Sequence, residues 1–143
     1  MAFLLDINVL IALAWKRHVH HAPATSWFVA EHQSGWATTS LTESGFVRVS
    51  SNPRVFPDGV TPGQATRIVA AMRAVPGHEF WSDSVSFADD PELIDEHVYG
   101  SGDVTDAHLA LIAKSHDGIL VTFDSRASLL SHALGAQAVL LTA

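Results

Sequence analysis

Four carboxylates fall where short apolar runs give way to helical patterns. Asp6 follows Phe3-Leu4-Leu5, Glu43 sits in Ser40-Leu-Thr-Glu43, Asp106 follows Thr105, and Asp124 follows Ile119-Leu-Val-Thr-Phe123. Each position has a plain structural use. Asp6 and Asp124 are placed to cap helices, and Glu43 reads as the glutamate of an S-x-x-E capping box with Ser40 as the cap. Asp106 falls in a first helical turn, where a negative charge complements the helix dipole. Taken together, four acids at helix starts raise a different expectation. If those helices begin at one edge of a sheet, the carboxylates converge on one crevice and repel one another. Hard divalent cations, Mg²⁺ or Mn²⁺, relieve that repulsion because they prefer carboxylate oxygens and water. Asn8, two residues past Asp6, and Thr122, two before Asp124, extend the polar lining.

The elements that must position these groups are legible from periodicity. Phe3–Leu5 is a short buried strand, and a helical pattern runs from Ile7 to about Trp15. The polar segment His18-Val-His-His21 leads to a second helix carrying Ala24, Trp27 and Phe28. Trp36-Ala-Thr38 is the next strand, followed by a helix through Phe46 and Val49 to Ser51-Asn-Pro53. Thr61-Pro-Gly-Gln64 is a capping box with proline at the first helical position. Phe80-Trp81 reads as an edge strand and Asp90–Asp95 as a short helix. Thr105–His116 is a helix with a Leu109, Ile112, Ala113 stripe. Ile119–Phe123 is a strand, Ser125–Leu134 a helix stopped by Gly135, and Ala138–Leu141 a last strand. Strands alternating with helices predict an α/β fold, a central parallel sheet flanked by helices on both faces. Right-handed connections then bring the strand C-termini, where ligands bind in such sheets, to a common edge.

Composition bounds the alternatives. A chain of 143 residues with 48% hydrophobic content fits one domain, residues 1–143, with an ample core. Fifteen acidic against eight basic residues give a net charge of −7, so nucleic acid cannot be held by a broad basic face. Absence of cysteine removes disulfides, thiolate metal sites and cysteine nucleophiles. His18, His20 and His21 supply no convergent third and fourth ligand, which disfavours zinc. The four tryptophans, Trp15, Trp27, Trp36 and Trp81, read as core and interface aromatics rather than RNA-stacking groups. The apolar N-terminus lacks a basic start and is interrupted by Asp6 and Asn8, unlike a signal peptide. No run is long enough to span a membrane, so a cytoplasmic protein is expected.

Four segments, Leu4-Leu-Asp6-Ile-Asn8-Val-Leu, Thr39-Ser-Leu-Thr-Glu43-Ser-Gly-Phe-Val-Arg48, Val104-Thr-Asp106-Ala-His-Leu-Ala-Leu and Leu120-Val-Thr-Phe-Asp124-Ser, occur in this order. In that order the sequence resembles a PIN domain, and more narrowly the VapC-type toxins of bacterial type II toxin–antitoxin systems. The resemblance implies a single PIN-like domain acting as a metal-dependent endoribonuclease. It implies Asp6, Glu43, Asp106 and Asp124 as the catalytic and metal-binding acids, with Asn8 and Thr122 in support and Mg²⁺ or Mn²⁺ as the cofactor. It further implies an RNA substrate, a cognate antitoxin, and a homodimer within a larger toxin–antitoxin complex. Arg126, two residues after Asp124, is the basic residue placed to meet a phosphate. Two other readings compete. A phosphatase of the haloacid-dehalogenase kind also begins with an aspartate after strand one, but needs a second acid two residues on, where this chain has Asn8. A non-catalytic PIN-like module that only binds a partner is the other.

Overall fold

In the computed structural model, which describes residues 1–142, five short strands form one all-parallel sheet in the order β3-β2-β1-β4-β5. The strands are β1 (Phe3–Leu5), β2 (Trp36–Thr39), β3 (His78–Trp81), β4 (Ile119–Thr122) and β5 (Gln137–Leu140). Seven α-helices accompany them: α1 (Ile7–Ala14), α2 (His21–Glu31), α3 (Ser40–Ser50), α4 (Pro62–Met72), α5 (Pro91–His97), α6 (Val104–Ser115) and α7 (Ser125–Ala133). The central strand β1 is flanked in register by both neighbours, Leu4 lying opposite Ala37 on β2 and Leu120 on β4. The continuous apolar runs of β1 and β4 have their reason here, since their interior residues are covered on both faces.

Strand alternation divides the core. Leu5, Trp36 and Val121 point to one face and pack with Val9 and Leu10 of α1, Phe46 of α3 and Val69 of α4. Leu4, Ala37, Trp81 and Leu120 point to the other and meet Leu109, Ile112 and Ala113 of α6. Helices therefore cover both faces, as the alternating pattern predicts. The Thr61/Gln64 capping box is present, with Thr61 N–H donating to Gln64 Oε1 at 2.9 Å and Gln64 N–H to Thr61 Oγ1 at 3.1 Å.

The capping box expected at Ser40 and Glu43 is not formed. Strand β2 extends one residue further, so Thr39 is the cap and Ser40 is already helical. Thr42 closes the turn in its place, its hydroxyl accepting from Thr39 N–H at 3.0 Å. A second short-range competitor at the strand end shifted the register by one residue, and Glu43 is thereby free of any capping duty. Strand and helix ends elsewhere differ from the periodicity by one or two residues, β4 ending at Thr122, β5 running from Gln137 to Leu140, β3 beginning at His78 and α5 ending at His97.

The order of strands sets the place of the crevice. From β1 the chain builds outward through β2 and β3, then crosses back to add β4 and β5 on the other side. The connection reverses between β1 and β4, and the crevice beyond their carboxyl ends is where open parallel sheets take ligands.

Candidate active site

Asp6 is the first residue past β1 and caps α1, Oδ1 accepting from Ile7 N–H at 2.7 Å. Its other oxygen accepts the Thr122 hydroxyl from the end of β4, at 2.7 Å. The Thr122 oxygen in turn accepts from Asn8 Nδ2 at 3.2 Å and from Asp124 N–H at 3.0 Å. One donor and two acceptor positions are all that a hydroxyl has, and Thr122 uses all three. Asn8 completes the link by accepting from Phe123 N–H at 3.2 Å. Asp124 caps α7, Oδ1 accepting from Arg126 N–H at 2.8 Å. The ends of two adjacent strands and the starts of two helices are thus tied by the supporting residues Asn8 and Thr122.

Asp106, in the first turn of α6, joins Asp6 and Asp124 in lining one cleft of about 500 Å³. Its carboxyl is pushed up to about 6, first by burial and then by the negative charges of Asp6, Asp124 and Asp103. Burial also raises Asp6 above its ordinary value, partly opposed by the hydrogen bonds from Thr122 and Ile7, with Asp124 adding to the rise. Arg126 offsets the rise at Asp106 only in part. Its guanidinium pairs with Asp103 at 3.0 Å and is mostly exposed. Hard oxygen donors with uncompensated negative charge are the donor set that Mg²⁺ or Mn²⁺ selects, so the residues fit such an ion in chemistry. Among the described residues, however, no three His, Asp or Glu side chains already stand close enough to hold one ion.

Glu43 lines a different cleft, between α3 and α4. The Thr38 hydroxyl donates to its Oε2 at 2.6 Å, and Arg73 approaches it at 3.4 Å. Thr38, almost fully buried, has given its only hydrogen to Glu43, so the His78 Nε2 at 2.8 Å must donate to it. The structure therefore gathers Asp6, Asp106 and Asp124 at one cleft and sets Glu43 in a separate polar network.

Sequence reasoning missed several neighbours. His18 and Phe56 line the aspartate cleft, and Asp103 sits between Arg126 and Asp106 in charge. The histidine segment has structural partners. His21 Nδ1 lies 2.8 Å from the Ala12 carbonyl, and His20 stacks on Phe123 at 4.5 Å. No spacing rule could have paired Phe56 or His18 with acids as far along the chain as Asp106 and Asp124. The Thr38–Glu43 pair, by contrast, is local enough to have been suspected.

The model of the PIN domain matches residues 3–133, nearly the whole chain and all four acidic motifs. The chain belongs to the PIN domain family. It is 49% identical over 122 residues to Ribonuclease VapC38 of Mycobacterium tuberculosis, covering 85% of this chain and 84% of that protein. Ribonuclease VapC29 of the same organism is 41% identical over 141 residues, 99% of this chain and 97% of the other. The fold is also that of a chain in the crystal structure of VapBC2 from Rickettsia felis bound to a promoter DNA fragment, with a TM-score of 0.68 at 12% identity over 99% of this chain and 100% of that one. As a PIN domain, the chain carries Asp6, Glu43, Asp106 and Asp124 in four segments at the carboxyl edge of its sheet, while the haloacid-dehalogenase reading loses its ground.

Proposed function

We infer that this PIN domain is a metal-dependent endoribonuclease acting as the toxin of a toxin–antitoxin pair. The observation that carries the reading is the cleft at the β1/β4 switch lined by Asp6, Asp106 and Asp124, where burial and the charges of Asp6 and Asp124 hold the Asp106 carboxyl up and Arg126 relieves it only in part. The ribonuclease names of relatives 40–49% identical support it.

Asp6, Asp106 and Asp124 are the residues that would hold Mg²⁺ or Mn²⁺, with Glu43 as the fourth acid of the set. When bound, such an ion activates water, stabilises charge on the phosphate during in-line displacement, and lets an acidic protein approach RNA. Thr122 and Asn8 fix the Asp6 carboxylate and the Asp124 backbone relative to each other, so two acids from distant segments share one orientation. Burial of Asp6 limits competing water. Arg126, held by Asp103, is positioned to exchange that partner for a substrate phosphate.

The partners follow from the same reading: RNA as substrate, a cognate antitoxin, and a homodimer within the larger complex, in the cytoplasm. Among the described residues no helix is long and apolar enough to cross a membrane. Exposed Val19, Val29, Tyr99 and Leu129 offer apolar surface for an amphipathic antitoxin segment, and the aspartates invite bidentate pairing with an arginine from it. Stoichiometric antitoxin is expected to suppress RNA cleavage; undiminished cleavage in a tight complex refutes the inhibitory role.

Asp124→Asn tests the site. Asparagine caps helices about as well as aspartate, so thermal stability without metal should hold or rise as one repelling charge is removed. Mn²⁺ affinity and RNA cleavage should fall steeply. Cleavage at the wild-type rate makes Asp124 a cap and nothing more. Wild-type protein that neither binds Mn²⁺ nor cleaves RNA returns the partner-binding alternative.

A further inference from the structure

Beside the aspartate cleft lies a second cavity of about 590 Å³, lined by Trp15, Lys16, Arg17, His18, Phe56 and one acid, Asp58. His18 and Phe56 line both cavities, so the two adjoin across these rings. The aromatic wall is built in place. Trp15, half-buried, donates its indole N–H to the Ser50 hydroxyl at 3.2 Å and stacks on Phe56 at 5.1 Å and 29°. The loop carrying Phe56 is tied at both ends, Phe56 N–H donating to the Asn52 carbonyl and Gly59 N–H to the Phe56 carbonyl, each at 2.9 Å. A Cβ on Gly59 would sit 2.7 Å from the Phe56 carbonyl oxygen and 2.9 Å from that of Ser50, so only glycine lets the loop close this tightly. Lys16 and Arg17 are exposed, and among the described residues neither makes an ion pair. In a chain with eight basic residues against fifteen acidic ones, two adjacent unpaired cations beside an acidic cleft stand out.

Preset aromatic rings with adjacent cations are the features by which proteins grip single-stranded nucleic acid, the rings taking bases and the cations the backbone. A cavity adjoining the site of phosphate chemistry is within reach of a nucleotide next to the cleaved bond. We propose that this pocket is a nucleobase subsite for RNA, seating the base of a nucleotide flanking the scissile phosphate against Phe56 and Trp15, with Lys16 and Arg17 on the adjoining phosphates. The position relative to the scissile bond rests on the ribonuclease reading; the base pocket itself does not.

The experiment uses a single-stranded RNA of about ten nucleotides, a length in the range of such binding sites. Its bases are removed one at a time, and binding to the full chain is measured without divalent metal. In the wild type, one abasic position should weaken binding roughly tenfold, the scale of a single base stacked on an aromatic ring. In Phe56→Leu that penalty should vanish. The double variant Lys16→Ala/Arg17→Ala should raise Kd and KM and leave kcat unchanged. It should also flatten the dependence of log K on log salt by about 1.4, two phosphate contacts at roughly 0.7 each for a single strand. A flat abasic profile in the wild type, or a penalty that survives in folded Phe56→Leu, overturns the subsite. Should Phe56→Leu fail to fold, the wild-type profile and the salt slope of the double variant decide the matter, an unchanged slope counting against it. RNA cleavage with a flat profile sinks the subsite alone. An abasic penalty in a protein that never cleaves RNA preserves the base pocket and sinks the nuclease reading.

Discussion

A buried hydroxyl with a single hydrogen can serve only one carboxylate, and two threonines of this chain are so committed, Thr122 to Asp6 and Thr38 to Glu43. The second commitment leads to a prediction. Thr38→Val is isosteric but removes the donor to Glu43 and the acceptor for His78. It should cost about 1–3 kcal/mol in a denaturant melt. Thr38→Ser should recover most of that loss, and recovery absent from the serine variant would mean packing, not hydrogen bonding, sets the cost. Asp106 gives a pH prediction. Its folded value of about 6 exceeds the ordinary 3.8, so between those values the native state binds the proton more tightly than the unfolded one. Stability from this group is therefore full at low pH and declines as pH rises from about 4 to about 6. Asp106→Asn should be more stable than wild type by on the order of 1 kcal/mol above pH 6, discounted because the group is half-exposed, with the difference shrinking to zero by pH 4. Metal-free melts of both proteins across that range check it; a difference that grows on acidification reverses the sign and refutes the cause. At this scale the sequence was informative where side chains act locally. Asp6 and Asp124 do cap the helices they precede, and Asp106 does sit in a first turn. Glu43 was the exception, because Thr39 and Ser40 are both competent caps and only the length of β2 chooses between them.

Between elements, α3 approaches α1 closely at Gly45. A Cβ on Gly45 would lie 2.3 Å from Cδ1 of Ile7, the residue after Asp6 and part of the aspartate cleft wall. Gly45→Ala improves helix propensity by roughly 1 kcal/mol but forces Ile7 from its position, at an overpacking cost of about 1–3 kcal/mol. A net loss near 1 kcal/mol is expected, together with a drop in RNA cleavage larger than that loss explains. Adding Ile7→Val removes the nearest methyl, leaving Cγ1 at 2.8 Å to shift, and should restore much of both. If cleavage stays depressed in the double variant while stability returns, Ile7 is not the route from α3 to the cleft. Elements of this kind were the most legible part of the fold. Strands of three or four residues were found because apolar runs end at an acid or threonine and helices begin at cappers. What periodicity could not reach was contact between elements. Phe56 sits in an irregular loop, and its pairing with Trp15 rests on a turn closed by Gly59 rather than on any repeating pattern.

For the molecule as a whole, charge and topology carry separate consequences. Because the acids at the cleft oppose folding when unneutralised, Mn²⁺ should raise the melting temperature. Occupancy at a hundredfold excess over Kd is worth about 2.7 kcal/mol, and a chelator should reverse the gain. A melting temperature indifferent to millimolar Mn²⁺ argues against a metal site anywhere on the chain. Topology has a temporal consequence. The central strand β1 is made first, yet it finds β4, and Asp6 finds Thr122, only across 116 residues of chain. At roughly 5–20 residues per second of synthesis, about 6–23 s separate the appearance of Asp6 from that of the hydroxyl that orients it. Through that interval the nascent polypeptide has carboxylates but no cleft, and the last acid of the cleft, Asp124, follows two residues after Thr122. Strand order thus acts as a clock: assembly of the acidic centre waits for β4, the fourth of the five strands to be made.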